Sequence, residues 1–231
     1  MLFGRAFEVA LNAYFRREDP GDVFFHEWSA CKDQNPRFSG KDTWERMLEQ
    51  GIMLLIRFCQ DNRIQIRDPH RNLQIRFTRP VGRQEFVAYV DGIGILDSQR
   101  CLLEWKTSGI CYPTEPEGLL ALDPQVVCYS WMTGISEVAQ VVFVRKRVAE
   151  IQYLTTMITD EQREEFGRLV VDTIRRIESA EFLPHSGIRF PQNPCTTCPY
   201  MGLCLGKQIG SSNLIRKIGA QNLGWLDELD Y

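Results

Sequence analysis

No stretch of this 231-residue sequence approaches the roughly 18 consecutive apolar residues that a membrane-spanning helix needs. Nor is there an excess of charge of one sign. The 27 basic residues face 30 acidic ones, for a net charge of −3, so any affinity for nucleic acid must rest on a local patch rather than on the whole surface. The start, MLFGRAFEVALNAYFRRED, lacks the basic front and apolar core of a signal peptide; it reads as an amphipathic helix carrying acids, and a cytoplasmic address is the expectation. Internal repeats and low-complexity segments are missing too. What remains is ordinary for a globular protein, 44% hydrophobic and 25% charged, and long enough to bury a core without disulfides. In a reducing compartment the eight cysteines read as thiols or metal ligands rather than a disulfide frame.

Apolar residues Phe7, Leu11, Tyr14 and Phe15 fall at helical spacing over residues 3–17, and Pro20-Gly21 is expected to end that helix. The polar stretch to Gly40 reads as loop with a short helix. Residues 42–61 return to helix, with Trp44, Met47, Leu48, Leu54, Leu55 and Phe58 near one face. Strands are expected at 73–78, 85–91 and 101–106, with Asp97-Ser98-Gln99 turning between the last two. Asp123 caps a helix over 124–133 with proline at its first position. Two more strands follow at 138–145 and 149–156. An amphipathic helix then spans 159–180, lined by Phe166, Leu169, Val170, Thr173, Ile174 and Ile177. This order predicts an α/β fold with a central mixed sheet flanked by helices. Its parts are an N-terminal helical portion (1–65), a core (66–182), a cysteine-rich segment (183–209) and a tail (210–231).

Chemistry concentrates on two of the strands. Asp91 is expected to close one, in VAYVDGIG, while Glu104 and Lys106 stand on the next, in CLLEWKTSG. Alternation puts Glu104 and Lys106 on one face and turns Trp105 away. A hairpin brings Asp91 beside Glu104, and two such carboxylates repel unless a cation lies between them; oxygen donors of this kind suit Mg²⁺ or Mn²⁺. A neighbouring lysine orients water and balances charge on a phosphoryl group. The plainer alternative also stands, because Asp-Gly is a favoured turn pair and Glu-x-Lys is common on solvated strands.

An Asp on one strand followed by Glu-x-Lys-Thr-Ser on the next resembles the signature of the PD-(D/E)xK nucleases, whose core is restriction-endonuclease-like. Gln125 and Tyr129, one helical turn apart in DPQVVCYSW, are similar to the Gln-x-x-x-Tyr motif of the RecB-like branch. That branch carries a metal-ligating residue on its first helix, usually His; Glu8 stands at the matching position after Gly4 and departs from the pattern, with His26 as a less favoured substitute. The resemblance implies a metal-dependent deoxyribonuclease, an exonuclease acting on single strands or ends. Asp91, Glu104, the Trp105 main-chain carbonyl and Glu8 would ligate the metal. Lys106 would position water, and Gln125 and Tyr129 would hold Lys106. A second reading is open: a nuclease fold kept as a catalytically weak DNA-binding or scaffolding subunit of a repair or CRISPR complex.

Near the C-terminus, Cys195, Cys198 and Cys204 form C-x2-C-x5-C among Pro194, Pro199 and Gly202. A two-residue gap lets two thiolates face one ion. The pattern resembles the iron–sulfur segment of RecB-like nucleases, among them the CRISPR-associated exonucleases, and so implies a [4Fe-4S] cluster. No cysteine precedes the first helix here, where that family has its fourth ligand. Either the start is trimmed relative to the family or another residue completes the site, with Cys31 the choice ahead of Cys59. Three cysteines with His185 would instead suit Zn²⁺. Cys101, Cys111 and Cys128 read as packing residues.

For DNA, Arg67, Arg71, Arg76, Arg79 and Arg83 cluster before the acidic strand, and Arg145-Lys146-Arg147 ends a later one. Such groups track a phosphate backbone or are simply solvated. Trp105, Tyr112 and Trp131 are candidate base stackers, with core packing the competing use of the two tryptophans. A helicase or a repair or CRISPR subunit is the partner that the resemblance suggests.

Overall fold

The computed structural model describes residues 2–34, 38, 40, 42–114 and 119–181 of the chain. It divides into two units, Met1–Thr173 and Ile174–Tyr231. The first contains the sheet and nearly all the described helices.

Helix α1 (Leu2–Phe15) buries Phe3, Phe7, Ala10 and Leu11, and Arg17 turns the chain with a φ of 65°. Helix α1 ends before Pro20-Gly21 as expected, and the short helix expected in the following stretch starts at Pro20 itself. Asp19 Oδ1 accepts the backbone N–H groups of Gly21 (2.8 Å) and Asp22 (3.1 Å) and opens α2 (Pro20–Ala30). Proline has no N–H to lose at a first helical position, so it starts a helix as readily as it stops one. A 3-10 turn (Cys31–Gln34) follows. Helix α3 (Trp44–Gln60) is capped by Thr43, whose Oγ1 accepts the Arg46 N–H at 3.1 Å. Trp28 and Trp44 exchange bonds, each indole N–H donating to the other's carbonyl at 3.1 and 3.3 Å. Gly51 brings α3 against α2: a Cβ there would lie 2.2 Å from the Phe24 ring.

Six strands form one sheet: β1 (Ile64–Gln65), β2 (Leu73–Val81), β3 (Gln84–Leu96), β4 (Gln99–Ser108), β5 (Glu137–Val144) and β6 (Glu150–Met157). Their order is β1-β3-β4-β5-β6, with β2 also paired to β3. Among the described strand pairs, β4–β5 is the parallel one. The crossover that a parallel pair requires carries α5 (Pro124–Thr133), capped by Asp123 as its sequence predicts. A one-turn helix α4 (Pro69–Asn72) and strand β1 were not anticipated; both are too short to show a period.

Asp91 does not close its strand. β3 runs thirteen residues to Leu96, pairing with β2 along its first part and with β1 and β4 at its far end. Gly92 has partners on both sides, Leu73 of β2 and Leu103 of β4, and they hold the Asp91-Gly92 step extended where the pair alone suggests a turn. At Gly94 a Cβ would meet Leu103 Cδ1 at 2.8 Å and the Gln65 carbonyl oxygen at 2.9 Å, so this glycine is what admits β1.

Alternation along β4 divides the interior in two. Cys101, Leu103 and Trp105 join Ala139, Val141 and Phe143 of β5 in a large core under α1, α2 and α3. Leu102 faces the other way and joins Val90, Val126, Val127, Tyr129, Val138 and Ile158 in a smaller one, against which Phe166 packs. Glu104 and Lys106 share that second face. On the side of α6 (Asp160–Glu178) expected to be apolar, Val170 is buried and Phe166 and Ile174 are half-buried, while Leu169, Thr173 and Ile177 are exposed.

Candidate active site

Strands β3 and β4 stop pairing at Gly92–Leu103, and the carboxylates gather just beyond that point. Asp91 Oδ2 accepts the backbone N–H of Trp105 at 2.9 Å, taking over a donor the ladder no longer serves. Glu104, 2% exposed, forms an ion pair through Oε1 with Lys106. Gln125 on α5 joins the group from above: its Oε1 accepts from Lys106 Nζ at 2.7 Å, and its Nε2 donates at 2.8 Å to both Glu104 Oε1 and the Tyr129 hydroxyl. Parallel pairing with β5 fixes β4 beneath these side chains, with Glu104 opposite Gln140 and Lys106 opposite Val142.

The electrostatics of the site are those of too many acids in too little water. Burial first, then the Asp91 charge, raises the Glu104 carboxyl well above its ordinary range, and the Lys106 partner only partly offsets this. Burial and Asp91 likewise push Glu8 up to about 7. Burial lowers the Lys106 ammonium pKa, but its hydrogen bond and attraction to Glu104, with Asp91 adding, outweigh that and leave it raised. Lys106 is therefore a cation at neutral pH. Tyr129 is raised by burial and by Glu104, and stays a neutral hydroxyl.

Glu8 reaches the same place from α1. The side-chain amide of Gln74, a residue that no sequence motif pointed to, hydrogen-bonds Glu8 Oε1 and lies 3.5 Å from Asp91 Oδ1. Among the described residues no three His, Cys, Asp or Glu side chains are spaced as a ready metal cage; the Gln74 amide stands between Glu8 and Asp91, and Lys106 takes one oxygen of Glu104. The donor set nevertheless fits a hard divalent cation. Its donors are carboxylate oxygens, and Glu104 Oε2 is buried with no hydrogen-bond partner. Such ions commonly take only one or two protein carboxylates, with water and phosphate completing the shell.

Other expected groups lie elsewhere. His26 is exposed on α2 beside Phe25. Cys31 is buried in the helical core, its Sγ donating to the Glu27 carbonyl at 3.3 Å, and burial followed by Glu27 raises its pKa. Cys195, Cys198, Cys204 and His185 lie outside the described residues. Burial also pushes the Cys101 and Cys128 thiols up to about 11. Trp105 and Trp131 are buried, which withdraws both from base stacking; Tyr112 is partly exposed. Of the expected DNA-tracking cations, Arg71 pairs with Asp68, Arg76 with Glu85, Arg145 with Asp42 and Lys146 with Glu150. Arg79 lies over the Trp131 ring and donates to its carbonyl at 2.6 Å. Arg67, Arg83 and Arg147 have no ion pair among the described residues.

A sheet whose strands part around Asp91, with Glu104 and Lys106 alternating on the next strand under a helix carrying Gln125 and Tyr129, defines a nuclease-type α/β fold. The model of the PD-(D/E)XK nuclease superfamily matches residues 2–205, and the chain belongs to that superfamily. Among the solved structures similar to it are two of low identity. One is the crystal structure of a "Putative exonuclease" from Eubacterium rectale, 14% identical, covering 84% of this chain and 73% of its own with a TM-score of 0.49. The other is the crystal structure of SSO0001, 18% identical, covering 71% of each chain with a TM-score of 0.37. No curated protein sequence matches the chain. Membership carries a nucleic-acid substrate and, in general, divalent metal chemistry. No described helix is long and apolar enough to cross a membrane.

Proposed function

We propose that this protein is a metal-dependent deoxyribonuclease of the RecB-like branch, an exonuclease that hydrolyses phosphodiesters of single strands or ends. The observation that carries the reading is the buried Glu104, beside Asp91, with one oxygen unpartnered. Two acids so placed are ionised together only when a cation compensates them.

Asp91, Glu104 and the Trp105 carbonyl would hold Mg²⁺ or Mn²⁺, with Glu8 at the rim. When bound, such a cation supplies Lewis-acid stabilisation of the charge that builds on phosphoryl oxygens. Lys106, held as an ammonium by Glu104 and Gln125, donates a proton-bearing contact to the phosphate or the attacking water; being charged, it orients water rather than removing its proton. Gln125 keeps Lys106 and Glu104 in register, and Tyr129 keeps Gln125 from rotating. In the overall reaction the water oxygen bonds to phosphorus, the P–O bond to one sugar oxygen breaks, and that oxygen leaves with a proton.

Purified protein with Mn²⁺ or Mg²⁺ should degrade linear single-stranded DNA and spare a circular strand. Asp91→Ala and Lys106→Ala should each remove the activity with folding intact. Undiminished cleavage by both variants removes these residues from the mechanism, and digestion of circles makes the enzyme an endonuclease. DNA binding without cleavage by the wild type under every divalent ion favours the scaffolding reading.

Cys195, Cys198 and Cys204 are proposed to be ligands of a [4Fe-4S] cluster, and Zn²⁺ is the alternative. Iron and acid-labile sulfide in anaerobically purified protein support the cluster; stoichiometric zinc without iron replaces it.

A further inference from the structure

We infer that Gln74 is a positioning residue of the cation site: its side-chain amide ties Glu8 on α1 to Asp91 on β3 and holds this third carboxylate at the rim of the Asp91–Glu104 pair. The inference rests on the proposal above that Asp91 and Glu104 hold a divalent cation.

Glu8 and Asp91 arrive from elements remote in sequence; Gln74 is 66 residues from the first and 17 from the second. Left facing each other, two carboxylates separate. An amide nitrogen carries two hydrogens and no negative charge, so one Nε2 group serves both acids at once. Gln74 donates to Glu8 Oε1 and stands 3.5 Å from Asp91 Oδ1, a long contact beside a close one. Asp91 is itself fixed through its other oxygen by the Trp105 N–H. The anchored acid is thus on β3, and Gln74 hangs Glu8 from it.

Backbone conformation gives an independent reason. The flanking pairs Leu73–Gly92 and Ile75–Val90 leave Gln74 opposite Asp91, yet Gln74 has a φ of 51°. Left-handed backbone is unusual for an unbranched residue inside a strand and survives only where surrounding contacts over-determine it. Gln74 is exposed, so burial in a core does not account for the strain. The side-chain contacts the structure gives it are with Glu8 and Asp91.

Gln74→Gly separates positioning from architecture. A φ of 51° suits glycine, and an exposed side chain leaves no cavity, so the metal-free variant should melt at or above the wild-type temperature. Its Mn²⁺ affinity, measured by titration calorimetry with Asp91→Asn defining the heat from this site, should fall about tenfold, the lower end for residues that orient ligands. Glu8→Gln should weaken Mn²⁺ comparably, and the double variant should be no worse than the weaker single, because both changes release the same carboxylate. Wild-type affinity in Gln74→Gly, or penalties that add in the double variant, overturns the inference while leaving the nuclease reading intact. If the wild type itself gives no heat that Asp91→Asn removes, the cation reading fails and this inference fails with it.

Discussion

Asp91 and Trp105 meet where β3 and β4 separate: the Asp91 carboxylate accepts the Trp105 N–H at 2.9 Å, just past the last strand pair at Gly92–Leu103. The bond closes the end of the ladder and turns Asp91 toward Glu104, so one side chain serves both the sheet and the site. Asn at position 91 keeps an acceptor for that N–H but loses the charge; Ala loses both. Asp91→Asn should therefore hold its melting temperature and lose roughly 100-fold or more in metal-dependent cleavage, comparable to deleting a transition-state electrostatic contact. Asp91→Ala should in addition lose about 1–3 kcal/mol for the orphaned donor, less the relief of repulsion with Glu104. An Asp91→Asn protein that cleaves like the wild type would remove Asp91 from the chemistry.

Gln125 makes three bonds, to Lys106, Glu104 and Tyr129. Gln125→Leu is close in size and makes none of them, so both cleavage and denaturant stability should drop. Tyr129→Phe removes only the terminal hydroxyl and should cost about 0.5–1.5 kcal/mol, with a smaller loss of rate. A larger kinetic defect in Tyr129→Phe than in Gln125→Leu would contradict the order of dependence drawn here.

Glu8 rises to about 7 from its ordinary 4.5, chiefly by burial and then by Asp91, and Glu104 rises for the same reasons. Over this window the folded protein holds protons that the unfolded chain has released. Stability in EDTA should thus fall as pH climbs from the ordinary carboxylate range through neutrality, and level off once both groups are ionised. Mn²⁺ binds the ionised forms, so its stabilising effect should grow across the same range. Glu8→Gln should flatten part of the EDTA profile. Thermal melts at about pH 5 and about pH 9, with and without metal, test the sign; a rise in EDTA stability over that interval would contradict it.

Gly51 admits the Phe24 ring, and a Cβ would lie 2.2 Å from it. Alanine at this helix position ordinarily helps, through lower backbone entropy. Here it should destabilise by at least about 1–3 kcal/mol, as overpacking does, measurable by denaturant unfolding. A neutral or stabilising Gly51→Ala would mean that α2 and α3 lie further apart than described.

Much of the candidate site's geometry was legible from order and spacing. Glu104 and Lys106 share a face because strands alternate, and Gln125 and Tyr129 share one because helices turn every 3.6 residues. Asp123-Pro124 announced the start of α5 to the residue. Those are local rules, and neighbouring residues suffice to apply them. The chain by itself thus determined the mixed α/β order, the two strands bearing the acids and the helix that overlooks them. The same local pair, Asp19-Pro20, opens α2, although Pro20-Gly21 also reads as a stop. Tertiary structure alone decided that Asp91 stands inside a long strand, because β2 and β4 pair with its neighbour Gly92 on either side. It alone buried Trp131, paired Arg71, Arg76, Arg145 and Lys146 with acids of the chain, and laid Arg79 on the Trp131 ring. It alone brought Gln74 between Glu8 and Asp91, since no local pattern encodes a contact across 66 residues or a left-handed backbone sustained by two distant carboxylates.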